Sequence, residues 1–475
     1  MANCSAASAT TIEDPTALSS PARTDDWGFR ARVIAAILRR AVRIFFRDIE
    51  IVGLERVPTG GPLVLVANHV NGIVDPLLVG LLGLRARFLA KSTLWSNPII
   101  RPLLDLTGGI PVYRHQDAGE DTSKNADSFA RCHDALAAGQ VIALFPEGKS
   151  HNAASLAPLK TGAARIVLEA EAKHGDLGIR IVPIGLTFDA KGLFRSRALL
   201  RVGHPIDPAP ERRLYRGDAW VAVRALTARI ARGLEAVTLN YASWEEARLI
   251  DRAADLYADA DGAAARALGD RFTVRQTFAD GYRDLATSDP ERARAAADAV
   301  ARYDTLLHAA RVRDEHVIAR VPLVSACRFL GRSALFLLGW LPLALLGTAL
   351  NWIPYRLVGA LAQRRAAEAD FVATYKLIGG VVLFPLWWLL CAVAVGALAG
   401  PLAGFATAPA AAGAALVALH FHERRAAIWE DIRAYAVLRS RRALARELAQ
   451  RRNALLATLH ELVQRSASSL RTGIV

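Results

Sequence analysis

Residues 377–399 carry no charged side chain, and that stretch constrains the chain more than any other feature. About 20 apolar residues suffice to cross a bilayer as a helix. Residues 333–354 are also uncharged and long enough. Residues 402–421 are a weaker candidate, Ala-rich and interrupted by Pro409, and Gly400-Pro401 makes a natural tight turn ahead of them. Arg328, Arg332, Arg356, Arg364, Arg365 and Lys376 flank the 333–354 stretch on both sides. If positive flanks stay cytoplasmic, 377–421 forms a hairpin and 333–354 is re-entrant, broken at Pro342.

A hydrophobic fraction of 53% agrees with membrane contact. The formal net charge of +14 favours anionic partners such as phospholipid head groups, phosphate esters or nucleic acid. Cys4, Cys132, Cys327 and Cys391 lie far apart with no paired spacing, so neither a metal site nor a disulfide framework is expected, and a reducing compartment fits.

The first 27 residues are polar and low in apolar content, expected to be a disordered tail. Residues 28–47 place Arg39, Arg40, Arg43 and Arg47 beside an apolar face of Ile34, Ile37, Leu38, Val42 and Phe45. That is a basic amphipathic helix, suited either to an anionic bilayer surface or to packing on the next domain. From 62 to about 205, the buried-strand runs LVLVAN, IPVY, VIALFP and IRIVPIGLTF alternate with helical patterns at 76–84, 122–138 and 160–174. This is the signature of an α/β layer with a parallel sheet. Residues 241–330 turn to Ala, Arg, Asp and Glu with helical period, a helical insert. The expected organisation is therefore a tail (1–27), an amphipathic helix (28–47), an α/β domain (48–240), a helical insert (241–330), a membrane region (331–421) and a basic cytosolic helix (422–475).

The densest polar signal in the α/β part is Asn68-His69-Val70-Asn71-Gly72-Ile73-Val74-Asp75-Pro76. Strand LVLVAN delivers His69 at its C-terminal edge, where ligands sit in open α/β sheets. Asp75-Pro76 has the form of a helix start. Two readings follow. Either His69 is a general base oriented by Asp75, or Asp75 is only a cap and His69 a loop residue. Six positions on a helix do not bring two side chains to one face, so the pair can meet only if Asn71-Gly72 turns the chain. Downstream, Gly109 to Arg114 ends a strand with a cation able to hold phosphate. Glu147, Gly148, Lys149 and Ser150 form a polar loop after strand VIAL, Lys160-Thr161-Gly162 opens the next helix, and Pro183 interrupts another apolar strand where a strand end or edge is expected. Gly148-Lys149-Ser150 is not a phosphate loop, because the earlier glycine position is Ala143. His115, His133, His151 and His174 lack ligand spacing and are expected to be solvated.

These four blocks, in this order, resemble the PlsC-type glycerolipid acyltransferase superfamily over roughly residues 48–210. The resemblance implies that His69 and Asp75 are the catalytic pair, that Asn68, Lys91, Arg114, Glu147, Gly148, Lys149 and Ser150 surround a phosphate-bearing acceptor, and that Pro183 lies on the acyl side. The common first motif has four residues between His and Asp; here there are five. That spacing, with C-terminal membrane segments, is similar to the glycerol-3-phosphate/dihydroxyacetone-phosphate branch. The implied activity is acyl transfer from acyl-CoA or acyl-carrier protein to a glycerol phosphate, without cofactor or metal. The implied setting is an integral membrane protein with its α/β domain on the cytoplasmic face, in contact with membrane lipids and not with nucleic acid. Two alternatives stand beside it: a lysophosphatidate or other lysophospholipid acceptor, and a non-catalytic scaffold that binds anionic lipid.

Overall fold

The computed structural model describes residues 29–97, 100–113, 122–260, 267–318, 322–365 and 371–472. The chain forms two compact units. One takes the chain up to Ser243 with Ala267–Gly269 and the segment ending at Leu377; the other takes Trp244 onward, Asp270–Arg365 and the chain from Ile378. The expected tail, 1–27, lies outside the described residues.

In the first unit, helix α1 (Phe29–Phe45) leads into strands β1 (Asp48–Val52), β2 (Leu63–Ala67), β3 (Ala86–Lys91), β4 (Ile110–Val112), β5 (Val141–Leu144), β6 (Arg180–Phe188) and β7 (Arg197–Val202). Their sheet order is β1-β7-β6-β2-β5-β3-β4. Strands β2 to β6 run parallel, whereas β7 pairs antiparallel with β6 and parallel with β1. Helices α2 (Val74–Val79), α3 (Arg101–Leu106), α4 (Asn125–Ala137), α5 (Gly162–His174), α6 (Ala209–Tyr215) and α7 (Ala219–Glu235) complete the layer. The expected α/β class is present, but β3 and β7 escape the sequence pattern. Each carries two cations (Arg87 and Lys91; Arg197 and Arg201) that break up its apolar run.

Both faces of the central strands are buried, which is why they read as unbroken apolar runs. Leu63, Leu65, Ala143, Val182 and Ile184 pack with Val42, Phe45 and Phe46 of α1, with Leu78 of α2, and with Ala373 and Leu377 from far along the chain. The alternate residues Val64, Val66, Ile142 and Ile181 pack with α4, α5 and α7 through Leu136, Ile166, Leu226 and Ile230. The buried end of α1 is thus a packing helix; its first turns keep Phe29, Val33 and Ile37 exposed.

Beyond Ser243 the described chain is helical: α8 (Trp244–Ala260), α9 (Leu268–Ser288), α10 (Pro290–Ala310), α11 (Asp314–Ile318), α12 (Leu323–Arg365), α13 (Val372–Ala399), α14 (Pro401–Ser440) and α15 (Arg442–Thr472). In the second unit, α8, α10 and α15 share a core of Leu256, Tyr303, Leu307, Leu448 and Leu455. Its buried polar centre is Asp314, which accepts from Tyr303 Oη at 2.5 Å and Arg452 Nε at 3.0 Å. Helices α12, α13 and α14 are each long and apolar enough to cross a membrane. Large apolar side chains such as Leu335, Leu389, Leu402 and Phe405 stand exposed on them, as a lipid-facing surface requires. Inside, Trp388 Nε1 donates to Asn351 Oδ1 at 2.7 Å, and Asn351 Nδ2 donates to Ala411 O at 3.3 Å. A side chain at Gly347 would collide with Ala414 O, so α12 and α14 approach closely there.

Two expectations are corrected here. Pro342 does not break its stretch: α12 continues through both Pro342 and Pro354. No separate basic helix begins at residue 422, because α14 passes through Pro409 and runs on to Ser440. Prolines remain inside such helices when neighbouring groups satisfy the freed backbone.

Candidate active site

β2 ends at Ala67, and the chain turns at once. Asn68 is buried and stitches this turn to β6: its Nδ2 donates to Leu186 O at 3.1 Å, and Leu186 N donates to its Oδ1 at 2.7 Å. Gly72 adopts φ +48°, a left-handed conformation that favours glycine, and Val74 N donates to Asn71 O at 3.0 Å. This turn takes up the five intervening residues and returns Asp75 to His69. The His69 Nδ1–Asp75 Oδ2 distance is 2.9 Å. The same oxygen accepts from Val70 N at 2.8 Å and Asn71 N at 2.7 Å. Asp75 does not cap α2: the helix begins at Val74, and the fully buried carboxylate instead closes the preceding turn.

A carboxylate at Nδ1 fixes the Nδ1–H tautomer and leaves the Nε2 lone pair as the basic position. The imidazole stacks on Phe145, centroids 4.2 Å apart and planes 19° apart. It lines a cavity of about 930 Å³ whose walls are largely apolar, among them Leu38, Leu77, Phe88, Leu94, Leu103 and Phe371. Arg39, Lys91, Lys160 and Arg165 supply its cations, and Gly148 and Ser150 also line it. Arg165 is engaged elsewhere, with Glu169 at 3.0 Å and over the Phe129 ring.

Of the sequence candidates, His69, Lys91, Gly148 and Ser150 face this cavity, and Asp75 stands directly behind His69. The others are placed differently. Arg114 lies outside the described residues, as does His115. Lys149 is exposed and away from the cavity wall. Asn68 is occupied within the sheet. Pro183 is buried inside β6 rather than at its end, opposite Val66 of β2. Its missing N–H falls in the gap between the Ile181–Ile206 bridge and the β7 ladder that starts at Ile184.

Glu147 is the largest departure. Its side chain is fully buried and turned into the protein. Oε1 accepts from His69 N at 2.6 Å, while Oε2 accepts from Ala157 N at 2.7 Å and contacts His151 Nε2. His151 is therefore not solvated. It is part of the support for His69: its own N–H donates to His69 O at 3.1 Å, and its Nδ1 accepts from Ala153 N at 3.1 Å. His133 is not solvated either; burial pushes it below the usual imidazole range, against the pull of Glu169. His151 stands four positions after Glu147, a spacing that pairs side chains on a helix, but here a loop pairs them. Lys160 was legible only as a helix opener; its side chain packs under Gly148, whose φ is +79°.

Residues 48–187 match the family profile described as Acyltransferase. Those residues are an acyltransferase domain. A second profile, the Glycerol-3-phosphate acyltransferase 2 C-terminal domain, matches residues 249–470. The chain is similar to an uncharacterised acyltransferase of Schizosaccharomyces pombe, 27% identical over 46% of this chain and 46% of that protein. It is also similar to Glycerol-3-phosphate O-acyltransferase 1 of Saccharomyces cerevisiae, 34% identical over 27% of this chain and 17% of that protein. The chain spans less than half the length of these relatives. Among solved structures, the 1-acyl-sn-glycerophosphate acyltransferase PlsC of Thermotoga maritima is similar at 19% identity, over 43% of this chain and 78% of that one, with a TM-score of 0.33. The acyltransferase domain contains the whole of the His69–Asp75 turn, Glu147 and Lys160.

Proposed function

We propose that the chain is a membrane-bound glycerolipid acyltransferase that moves a fatty acyl group from a thioester to a hydroxyl of a glycerol phosphate. The observation that carries this reading is the His69–Asp75 pair, at 2.9 Å, on the wall of a cavity that is apolar along most of its surface and cationic at Lys91 and Lys160. His69 Nε2 takes the proton from the acceptor hydroxyl as its oxygen attacks the thioester carbonyl. The C–S bond then breaks, and the thiolate leaves with the proton that His69 returns. Asp75 holds the tautomer and stabilises the transient imidazolium. The apolar walls suit the acyl chain, and Lys91 and Lys160 suit the acceptor phosphate. In this reading no metal or cofactor takes part, acyl-CoA or acyl-carrier protein is the donor, and the domain works on the cytoplasmic face against membrane lipid. Glycerol-3-phosphate is the preferred acceptor, supported by the match of the C-terminal region to a glycerol-3-phosphate acyltransferase domain.

The test is direct. Purified protein in detergent is given labelled acyl-CoA with glycerol-3-phosphate, dihydroxyacetone phosphate or lysophosphatidate. Transfer to the first is expected, with a loss of about 10²- to 10⁴-fold in His69→Ala. Transfer that survives in both His69→Ala and Asp75→Asn removes the mechanism.

A further inference from the structure

The turn from His69 to Asp75 is too long to hold itself. Asp75 Oδ2 and the Asn71–Val74 bond satisfy part of its backbone, but three groups point away: Val70 O, the Asn71 side-chain NH2 and Ile73 N–H. All three are held by remote segments. Lys191 Nζ donates to Val70 O at 2.9 Å, and Asn71 Nδ2 donates to Lys191 O at 3.1 Å. Ile73 N donates to Thr374 Oγ1 at 3.1 Å, across 301 positions of sequence. Asn71 and Thr374 are buried, so the bonds they make are shielded from water, where an unmade partner is costly. The two clamps are themselves joined: Lys376 Nζ donates to Gly192 O at 2.8 Å, and Val372 packs beside Gly192. Ala373 and Leu377 then bury in the sheet core beneath α2.

We propose that residues 371–377, through Thr374 above all, position the His69–Asp75 pair. The acyl-transfer chemistry of residues 48–187 then depends on a segment that opens the most apolar helix of the chain, α13. This rests on the catalytic reading of His69. Thr374 touches neither substrate nor His69; it acts through the peptide at Ile73, and Lys191 acts through the Val70 carbonyl and the Asn71 side chain. The opening turns of α13, residues 372–377, are accordingly a structural part of the site.

The experiment uses the full chain in detergent and compares wild type with Thr374→Val, Thr374→Ser and His69→Ala. Thr374→Val keeps the shape and removes the acceptor. It is expected to lower kcat about tenfold, leave both KM values within twofold, and raise amide exchange in the peptide spanning 69–75. Thr374→Ser restores the acceptor and is expected to recover most of the kcat and the protection. Wild-type kcat in Thr374→Val, or equal losses in Val and Ser, overturns the proposal. If His69→Ala keeps its activity, the catalytic reading fails on its own. The exchange data then decide the positioning claim separately: unchanged protection at 69–75 in Thr374→Val refutes it, and lost protection supports it.

Discussion

Replacing Glu147 by Gln separates two roles that a motif cannot distinguish. A carboxylate that binds the acceptor predicts a higher KM for glycerol phosphate with little change in stability. The structure gives the opposite pattern. Both Glu147 oxygens are already taken, by His69 N at 2.6 Å, Ala157 N at 2.7 Å and His151 Nε2, and the side chain is fully buried. Gln has one acceptor oxygen. Facing it toward Ala157 and His151 sets its NH2 against the His69 N–H, so one charge-assisted bond becomes a donor–donor contact. A hydrogen bond to a charged group contributes about 1.5–3 kcal/mol, and an orphaned buried donor costs about 1–3 kcal/mol. A net loss of about 2–3 kcal/mol in stability follows, roughly 4–12 °C in melting temperature for a domain of this size. The displaced peptide is that of His69 itself, so kcat falls while the acceptor KM stays put. Initial rates across glycerol-3-phosphate concentrations, with a thermal melt on the same samples, read both quantities. A raised acceptor KM with unchanged kcat and melting temperature would refute this reasoning.

Other consequences follow from single contacts. Gly148→Ala puts a methyl group at φ +79° about 3.3 Å from Lys160 Cγ, and should lower stability by about 1–2 kcal/mol and reduce activity, measured by denaturant titration and acyl transfer. Asn351→Leu removes the acceptor of Trp388 Nε1 and the donor to Ala411 O; a loss of roughly 1–2 kcal/mol is expected in unfolding of the detergent-solubilised chain. His133 has its folded-state affinity for protons lowered by burial, so the unfolded chain protonates first; it should lower stability as pH drops below about 6.5 and level off below the lowered folded value, a contribution that His133→Gln subtracts from the slope in melts taken from pH 7.5 to 5. Cys132, its thiol pushed up to about 12 by burial, should resist maleimide at pH 8 in the folded protein and react fully once denatured, read by mass spectrometry.

What the sequence makes legible here is local and periodic. β2, β5 and β6 are buried on both faces, so their identity shows as continuous Val, Ile and Leu, and the α/β class follows from their alternation with helices. The three long apolar helices show for a different reason: they turn uncharged, apolar side chains outward, as crossing a membrane requires. β3 and β7 do not show, because Arg87, Lys91, Arg197 and Arg201 interrupt the pattern while sheet pairing still holds the backbone. Pro342 and Pro409 mislead in the other direction: local propensity says break, and the bundle carries the helix through.

The site divides along the same line. His69 and Asp75 are six positions apart, so one glycine-containing turn can be imagined from the sequence and is what the chain forms. Their supports cannot be imagined that way. His69 presents an imidazole to the cavity, yet its backbone N–H and C=O are both held by the loop that contains Glu147 and His151. Two residues that look like substrate ligands and solvent-facing surface are, in the folded chain, the frame that holds His69. Thr374 carries no motif at all, and its only mark is position, two residues inside an apolar helix. A motif reports which residue types must gather near a reaction. It does not say which of them meet the substrate and which hold the others still. That distinction depends on where each side chain's hydrogen bonds end, and here they end on backbone groups up to 301 positions away.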